Sequence, residues 1–589
     1  MQETRKDPLR FGPLAVVATI WVAITTFFPT DEPGGPASAS TVAAGPGATT
    51  VVGSTGGGTV ATSGGAAAGS GGAGPAVTAG GASGGGGPAS RATGGSGTEA
   101  VAAGASGVTK GGLPCEPGVR QLPISSYAHP CQPAWSGDNG GATHRGVTAE
   151  SIRIVIRTFP ETANSQAVAA VGEQAGAASE EDTEMVFRTF LDYFNEHFET
   201  YGRTVELVEY QSRFGNGTTE AQSKGREEAC LDADVVANEL NAFGVVGTTA
   251  AAVSGPFAEC AAQRGVVVFN GAAYFPEKFY DALHPYVWAT TMECERISYQ
   301  VAEYLSKRLV DRPAQWAGDP LLQTQSRKFA TYVPNNDEYQ HCVNITESEA
   351  RRQGHGDANV SRYNYTLDVS RFPDEAARGI VQFKADGATT IVLACDPISV
   401  IFLTQSASSQ AYRPEWFLIG VALQDTDNLA QLYDQTQVDG HLFGMSQLGA
   451  TPKLIGPASE PGRLYRHITG QTIPDGTAGG YTGLHQIFNL IQAAGPHLTP
   501  DAIAAGAPTI PPGGAPDYPF GYWSFADGPD GTPGAGDHTA VEDSREIYWT
   551  SAYVSPETDK PGTYVETYGG RRFRNGEWPA EEPPVYPAG

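Results

Sequence analysis

FGVVGTTAAAVSGPFAECAAQRGVVVFN, residues 243–270, is the stretch on which the reading of the whole chain turns. FGVVG (243–247) and GVVVFN (265–270) are short β-branched runs of strand length, and SGPFAECAAQR (254–264) between them reads as a helix. Strand, helix and strand in so little chain imply a βαβ unit, whose strands lie parallel. The pattern extends towards the N-terminus. SIRIVIRTF (151–159) is an apolar β-branched run, MVFRTFLDYFNEHFETY (185–201) has helical spacing, TVELVEY (204–210) alternates with period two, and ADVVANELN (233–241) reads as a helix. Past YVWATT (286–291) the alternation restarts. ISYQVAEYLSKRLV (297–310), residues 337–354, residues 374–387 and PISVIFLTQSASSQ (397–410) read as helices; KFATYVP (328–334), NVSRYNYTLDV (359–369), TTIVLAC (389–395) and EWFLIG (415–420) read as strands. Parallel sheets covered on both faces follow. So many units exceed one core, and the restart near 290 predicts an α/β protein of two lobes. Lobe one takes about 147–290 and 422–515, and lobe two 291–421 and 516–589.

Composition bounds the partners. The 589 residues hold 37 Lys and Arg against 64 Asp and Glu, so the net charge is 37 − 64 = −27. Nucleic-acid binding needs a basic stripe that releases counterions, and this balance excludes it. At the N-terminus Arg5, Lys6 and Arg10 precede an apolar run, Phe11–Phe28, whose eighteen residues span about 27 Å as a helix, close to a bilayer's hydrocarbon core. Residues 1–28 therefore read as a signal anchor, or a signal peptide if cleaved, with everything downstream outside the cytoplasm. Residues 29–112 hold 27 of the 74 glycines and read as a disordered tether, with a reach of roughly 50 Å in the flexible regime. Residues 113–146 form a Cys-containing lead-in to a globular part spanning 147–589.

Seven cysteines in an exported chain favour disulfides with one left over. Cys230 and Cys260 flank a helix–strand unit and are the favoured pair, followed by Cys115 and Cys131. Cys294, Cys342 and Cys395 lie in lobe two, and the sequence leaves their pairing open. No C-x-x-C occurs and no His clusters near a Cys, so no metal site is expected.

In open parallel sheets, ligands sit beyond the carboxyl ends of the strands, where helix N-termini present free N–H groups. Those ends are Gly247-Thr248-Thr249, Asn270 to Tyr274, Asn335-Asn336-Asp337 and Cys395-Asp396-Pro397. GVTAESIRIVI, the 243–276 stretch, YVWATT, YVPNNDEYQHC, the Asp-containing turn after IVLAC, WFLIG and the amphipathic GYTGLHQIFNLIQAAG follow one another in an order that resembles the type I periplasmic solute-binding proteins. That family includes the Leu/Ile/Val-binding proteins of ABC importers. The resemblance covers about 147–589 and implies the type I periplasmic-binding-protein fold, two Rossmann-like lobes with a hinge. It implies that Thr248 and Thr249 hold a ligand carboxylate, that Ala272 and Tyr274 lie on the next ligand loop, that Tyr339 stands beside the ligand, and that Asp396 takes an ammonium. Tyr274 replaces a small hydroxyl residue common in the family, and Asp396 is shorter than the usual Glu. Thr248 and Asp396 equally suit helix N-caps, and Tyr274 and Tyr339 suit packing positions.

No G-x-G-x-x-G after a strand, no G-x-x-x-x-G-K-[ST] and no G-x-S-x-G occurs, and nothing assembles a nucleophile with a base. The expectation is a non-enzymatic, cofactor-free extracytoplasmic protein. Its lobes would close on a small polar ligand such as an amino acid or amide. The partner would be an ABC permease, or a membrane or cell-wall protein if the output is signalling.

Overall fold

The computed structural model describes residues 107–160, 180–221, 224–247, 253–271, 274–448, 457–474, 477–478, 480–514, 521–528, 531–532, 534–556 and 558–587. Residues 1–28 and nearly all of the 29–112 tether lie outside these. No helix among the described residues is long and apolar enough to cross a membrane.

The first sheet contains β1 (Ser151–Thr158), β2 (Thr204–Gln211), β3 (Gly244–Gly247), β4 (Val267–Phe269) and β5 (Val287–Trp288) in the order β2-β1-β3-β4-β5. Every pairing in it is parallel. Strand β1 shows why the apolar runs are nearly continuous. Ile152, Ile154 and Ile156 enter a core with Phe190 and Phe194 of α1 (Glu180–His197), while Val155 enters another with Ala229 of α2 (Arg226–Asp234) and Phe257 and Ala261 of α3 (Gly255–Gln263). A strand buried on both faces has no polar side to display. Helix α3 starts where Ser254 accepts a hydrogen bond from the Phe257 N–H at 3.3 Å, with Pro256 in the first turn. Helix α4 (Glu277–Leu283) leads into β5.

The second sheet holds β6 (Phe329–Pro334), β7 (Asn359–Tyr365), β8 (Thr390–Leu393), β9 (Glu415–Leu418), β10 (Leu442–Ser446), β11 (Ser544–Val554), β12 (Pro561–Glu566) and β13 (Arg572–Phe573). The path runs β12-β11-β10-β9-β8-β6-β7, with β13 on β11. Strands β6 to β10 are parallel, as the alternation predicted; β11 to β13 add an antiparallel extension. Around this sheet lie α5 (Cys294–Tyr304), α6 (Asp337–Arg352), α7 (Phe372–Ala385) and α8 (Pro397–Ser409). Strand β10 belongs here although it falls in 422–446, a stretch assigned from the sequence to lobe one. Its close approach to β9 rests on Gly444, at φ 154°, where a Cβ would stand 2.1 Å from the Leu418 carbonyl oxygen. The chain then returns to lobe one, where α9 (Glu460–Thr469), α10 (Gly480–Ala494) and α11 (Pro500–Gly506) close the first core through Leu464, Leu484, Ile487, Phe488 and Ile503.

Three segments join the lobes: residues 289–293, the chain between β10 and α9, and residues 526–543. They brace one another. The Ala289 N–H donates to the His538 carbonyl at 2.9 Å, and the Met292 N–H donates to Gln447 Oε1 at 3.2 Å. Disulfides link Cys115 to Cys131, Cys230 to Cys260 and Cys294 to Cys342, and Cys395 is a buried free thiol.

Candidate functional site

Left-handed non-glycine residues stand after two strands near the junction. Asn270 (φ 50°) and Tyr274 (φ 65°) follow β4, and Ala422 (φ 55°) and Leu423 (φ 60°) follow β9. Non-glycine residues in left-handed conformations cost roughly 1–3 kcal/mol each and persist where surrounding structure holds them, often at binding sites. Tyr274 reaches from lobe one into the core of lobe two. Its phenol oxygen accepts the Ala422 N–H at 2.9 Å, and burial raises its pKa well above the ordinary value. Tyr339, in the first turn of α6, packs against the same core, and burial raises its pKa too. Both line one partly open pocket.

Asp396 is fully buried at the start of α8. Its Oδ1 accepts the Ser399 N–H at 2.8 Å and its Oδ2 accepts the Tyr365 hydroxyl at 2.5 Å. Both oxygens are therefore engaged inside lobe two, which is cap geometry. Burial raises its pKa, while Tyr365 and Ser399 oppose the rise. Thr248, Thr249 and Ala272 lie outside the described residues.

A residue the sequence reading passed over is better placed. Asp425 follows the left-handed pair Ala422 and Leu423, is fully buried, and is an electrostatic neighbour of Tyr274. Its Oδ2 accepts the Ser446 hydroxyl, but its Oδ1 has no hydrogen-bond partner. Burial lifts its pKa to about 6. Nearby, Gln424 donates to the Cys395 carbonyl, and its own amide oxygen is unpartnered. Buried polar atoms without partners are uncommon, and two at one strand end suit a ligand that supplies donors. The available signal was positional: a carboxylate in the turn that follows WFLIG, as Asp396 lies in the turn that follows IVLAC.

One mixed donor group occurs among the described residues. Glu277, Asp281 and His538 bring ligand atoms within 4.8 Å of one another. His538 already contacts Glu277 through Nδ1 at 3.2 Å and His284 through Nε2 at 3.0 Å, so both ring nitrogens are engaged.

Fold and junction together describe an α/β protein of two lobes, each built on a largely parallel sheet, with three crossings between them. No family model and no curated protein matches the chain. Solved structures similar to it are substrate-binding proteins. One, from Streptococcus pneumoniae, is the substrate-binding protein of a branched-chain amino acid transporter, solved with isoleucine; it is 14% identical, covers 71% of this chain and 100% of its own, and has a TM-score of 0.45. A Rhodopseudomonas palustris ABC-transporter solute-binding protein, solved with 3,4-dihydroxybenzoic acid, is 12% identical over 72% and 98%, with a TM-score of 0.48. The Leu-, Ile-, Val-, Thr- and Ala-binding protein of Brucella ovis, in a closed conformation, is 14% identical over 74% and 98%, with a TM-score of 0.49.

Proposed function

We propose that this chain is an extracytoplasmic solute-binding protein that captures a small ligand between its lobes and delivers it to an ABC permease. The observation that carries the reading is the junction itself. Two α/β lobes turn strand ends towards each other, Tyr274 bridges them, and Asp425 presents an unpartnered carboxylate oxygen there. Asp425 would take an ammonium or hydroxyl group of the solute. Thr248 and Thr249, on the lobe-one turn, would take its carboxylate, with Ala272, Tyr274 and Tyr339 around its body. Closure excludes water and strengthens each charge-assisted hydrogen bond. The ligand shifts an open–closed equilibrium by its differential affinity for the two states. Residues 1–28 would hold the domain at the membrane, and the 29–112 tether would set its reach.

The test is a thermal-shift screen of the full-length chain against amino acids, amides and aromatic acids. A ligand at a hundred times its Kd adds about 2.7 kcal/mol of stability. The shift disappears in Asp425→Asn and weakens in Tyr274→Phe. A shift that persists unchanged in both variants places the ligand elsewhere.

A further inference from the structure

Helix α6 lies over the second sheet beside α5, yet Val343 is its single fully buried residue. By contrast α7 buries Phe372, Ala376, Ile380 and Phe383. The face of α6 carrying Tyr339, Val343, Thr346 and Ala350 looks instead into a partly open pocket. Its floor is Phe329 and Thr331 of β6 and Val392 of β8, and its side is Val301 and Leu305 on α5 and the turn that follows. The space arises because short side chains, among them Thr346, Ala350 and Ala394, meet where longer ones would fill the layer. Protein interiors keep few voids larger than a water molecule.

Shape and chemistry narrow the occupant. The lining includes Phe329 and Asn359, at the starts of β6 and β7, and Ala394 and Ile419, just past the ends of β8 and β9. The chamber therefore runs the length of a six-residue strand, about 20 Å at the rise of extended chain. It is elongated and almost wholly apolar, with no Lys or Arg in its lining. Besides Glu347, which already pairs with Arg362 at 2.6 Å, the one other acid or base in its lining apart from the tyrosines is the half-buried His355. One buried polar atom is free: the Ser306 hydroxyl has no hydrogen-bond partner and its residue lines the chamber. The Cys294–Cys342 disulfide staples α5 to α6 beside Tyr274 and Tyr339.

We propose that lobe two holds a chamber for an elongated, uncharged hydrocarbon molecule bearing a single hydroxyl or carbonyl oxygen, distinct from the cleft and sharing with it only Tyr274 and Tyr339. Such a molecule packs its chain between α6 and the sheet and gives its one oxygen to Ser306. The chamber does not depend on the solute reading, since its walls lie within one lobe apart from Tyr274.

The experiment titrates the full-length chain with N-phenyl-1-naphthylamine, a neutral apolar fluorophore, and displaces it with 1-dodecanol or with leucine. Saturable one-to-one enhancement, reversed by dodecanol and not by leucine, is the expected result. Thr346→Leu with Ala350→Leu, both half-buried positions on the inner face of α6, lowers probe affinity at least tenfold while thermal stability holds or rises. If that pair does not fold, Thr346→Leu alone lowers affinity severalfold, and Ser306→Ala weakens dodecanol more than the probe. Absence of saturable binding, equal displacement by leucine, or an affinity unchanged in the filled variants overturns the proposal.

Discussion

Two buried arginines, one inside lobe one and one where the lobes cross, meet the same kind of partners with opposite consequences. Arg157, at the end of β1, lies 2.7 Å from Glu220 and 2.6 Å from Asp232, with all three side chains fully buried. Around the carboxylates stand further donors: the Tyr210 and Ser212 hydroxyls and the Gly215 N–H for Asp232, and the Ser254 hydroxyl for Glu220. Burial pushes the Asp232 carboxyl up, but Arg157 and these donors outweigh it and hold the pKa at about 2. Arg296, at the crossing, faces three carboxylates: Glu293 at 3.1 Å, Asp537 at 2.6 Å and Glu542 closer still. One guanidinium cannot neutralise three. Burial, with repulsion from Glu293, overrides Arg296 and lifts Glu542 to about 8, and burial raises Asp537 and Glu293 as well. What separates the clusters is the ratio of donors to carboxylates. The first is a saturated strut. The second leaves its carboxyls raised, Glu542 to about 8, in the segments that join the lobes.

The largest effect that would break this contrast is in Arg157→Met. It strands two buried carboxylates and should cost about 3–5 kcal/mol in urea denaturation at pH 7. A loss below 1 kcal/mol would show that the strut is not what holds β1 to α2. Arg296→Met should cost less than that at pH 5, where its partners take up protons, and progressively more towards pH 8. Glu542→Gln works in the other direction: removing a carboxyl whose pKa is raised from 4.5 to about 8 should stabilise by a few kcal/mol at pH 8 and by almost nothing at pH 4.

The pH dependence of the wild-type chain sharpens the comparison further. Glu542 has a folded pKa of about 8, above its ordinary 4.5. Between these values the folded state holds a proton that the unfolded chain has released. The contribution is complete below pH 4.5 and is lost as pH rises towards 8. Asp232, depressed from 3.8 to about 2, contributes above pH 3.8 and loses its contribution as pH falls towards 2. Calorimetric scans should show the crossing variants altering the slope between pH 4.5 and 8, and Asp232→Asn altering it only in acid. The smallest effect is at the cap: Asp396→Asn should cost about 1 kcal/mol and leave solute affinity within twofold, whereas Asp425→Asn should remove binding without lowering the melting temperature.

The two aspartates also show where a linear reading stops. Asp396 and Asp425 each follow a strand of the second sheet, one closely and one after a longer turn, and residue type does not distinguish them. Pro397 lets α8 begin at once, so Asp396 turns inward and both of its oxygens meet Tyr365 and Ser399. After β9 the left-handed residues Ala422 and Leu423 redirect the chain, and Asp425 ends with one oxygen unpartnered. Neither Ala nor Leu advertises a positive φ, so no local signal marked that turn. Tyr274 was singled out as a residue of the ligand loop, but its reach into the opposite lobe depends on both lobes being in place. The disulfides divide in the same way. Cys115–Cys131 and Cys230–Cys260 close short loops and were named from the sequence, while Cys294 pairs with Cys342 only because α5 and α6 lie side by side.

The sequence by itself determined the alternation of strands and helices and the parallel pairing. Both follow from local periodicity and run length, which neighbouring residues set among themselves. Only the tertiary structure decided that β10 stays with the second sheet, that Asp425 and not Asp396 has a carboxylate oxygen to spare, that Arg296 is outnumbered, and that α6 leaves a chamber beneath it. Those outcomes depend on which distant side chains meet and in what ratio, and burial converts such meetings into energies that no local pattern records.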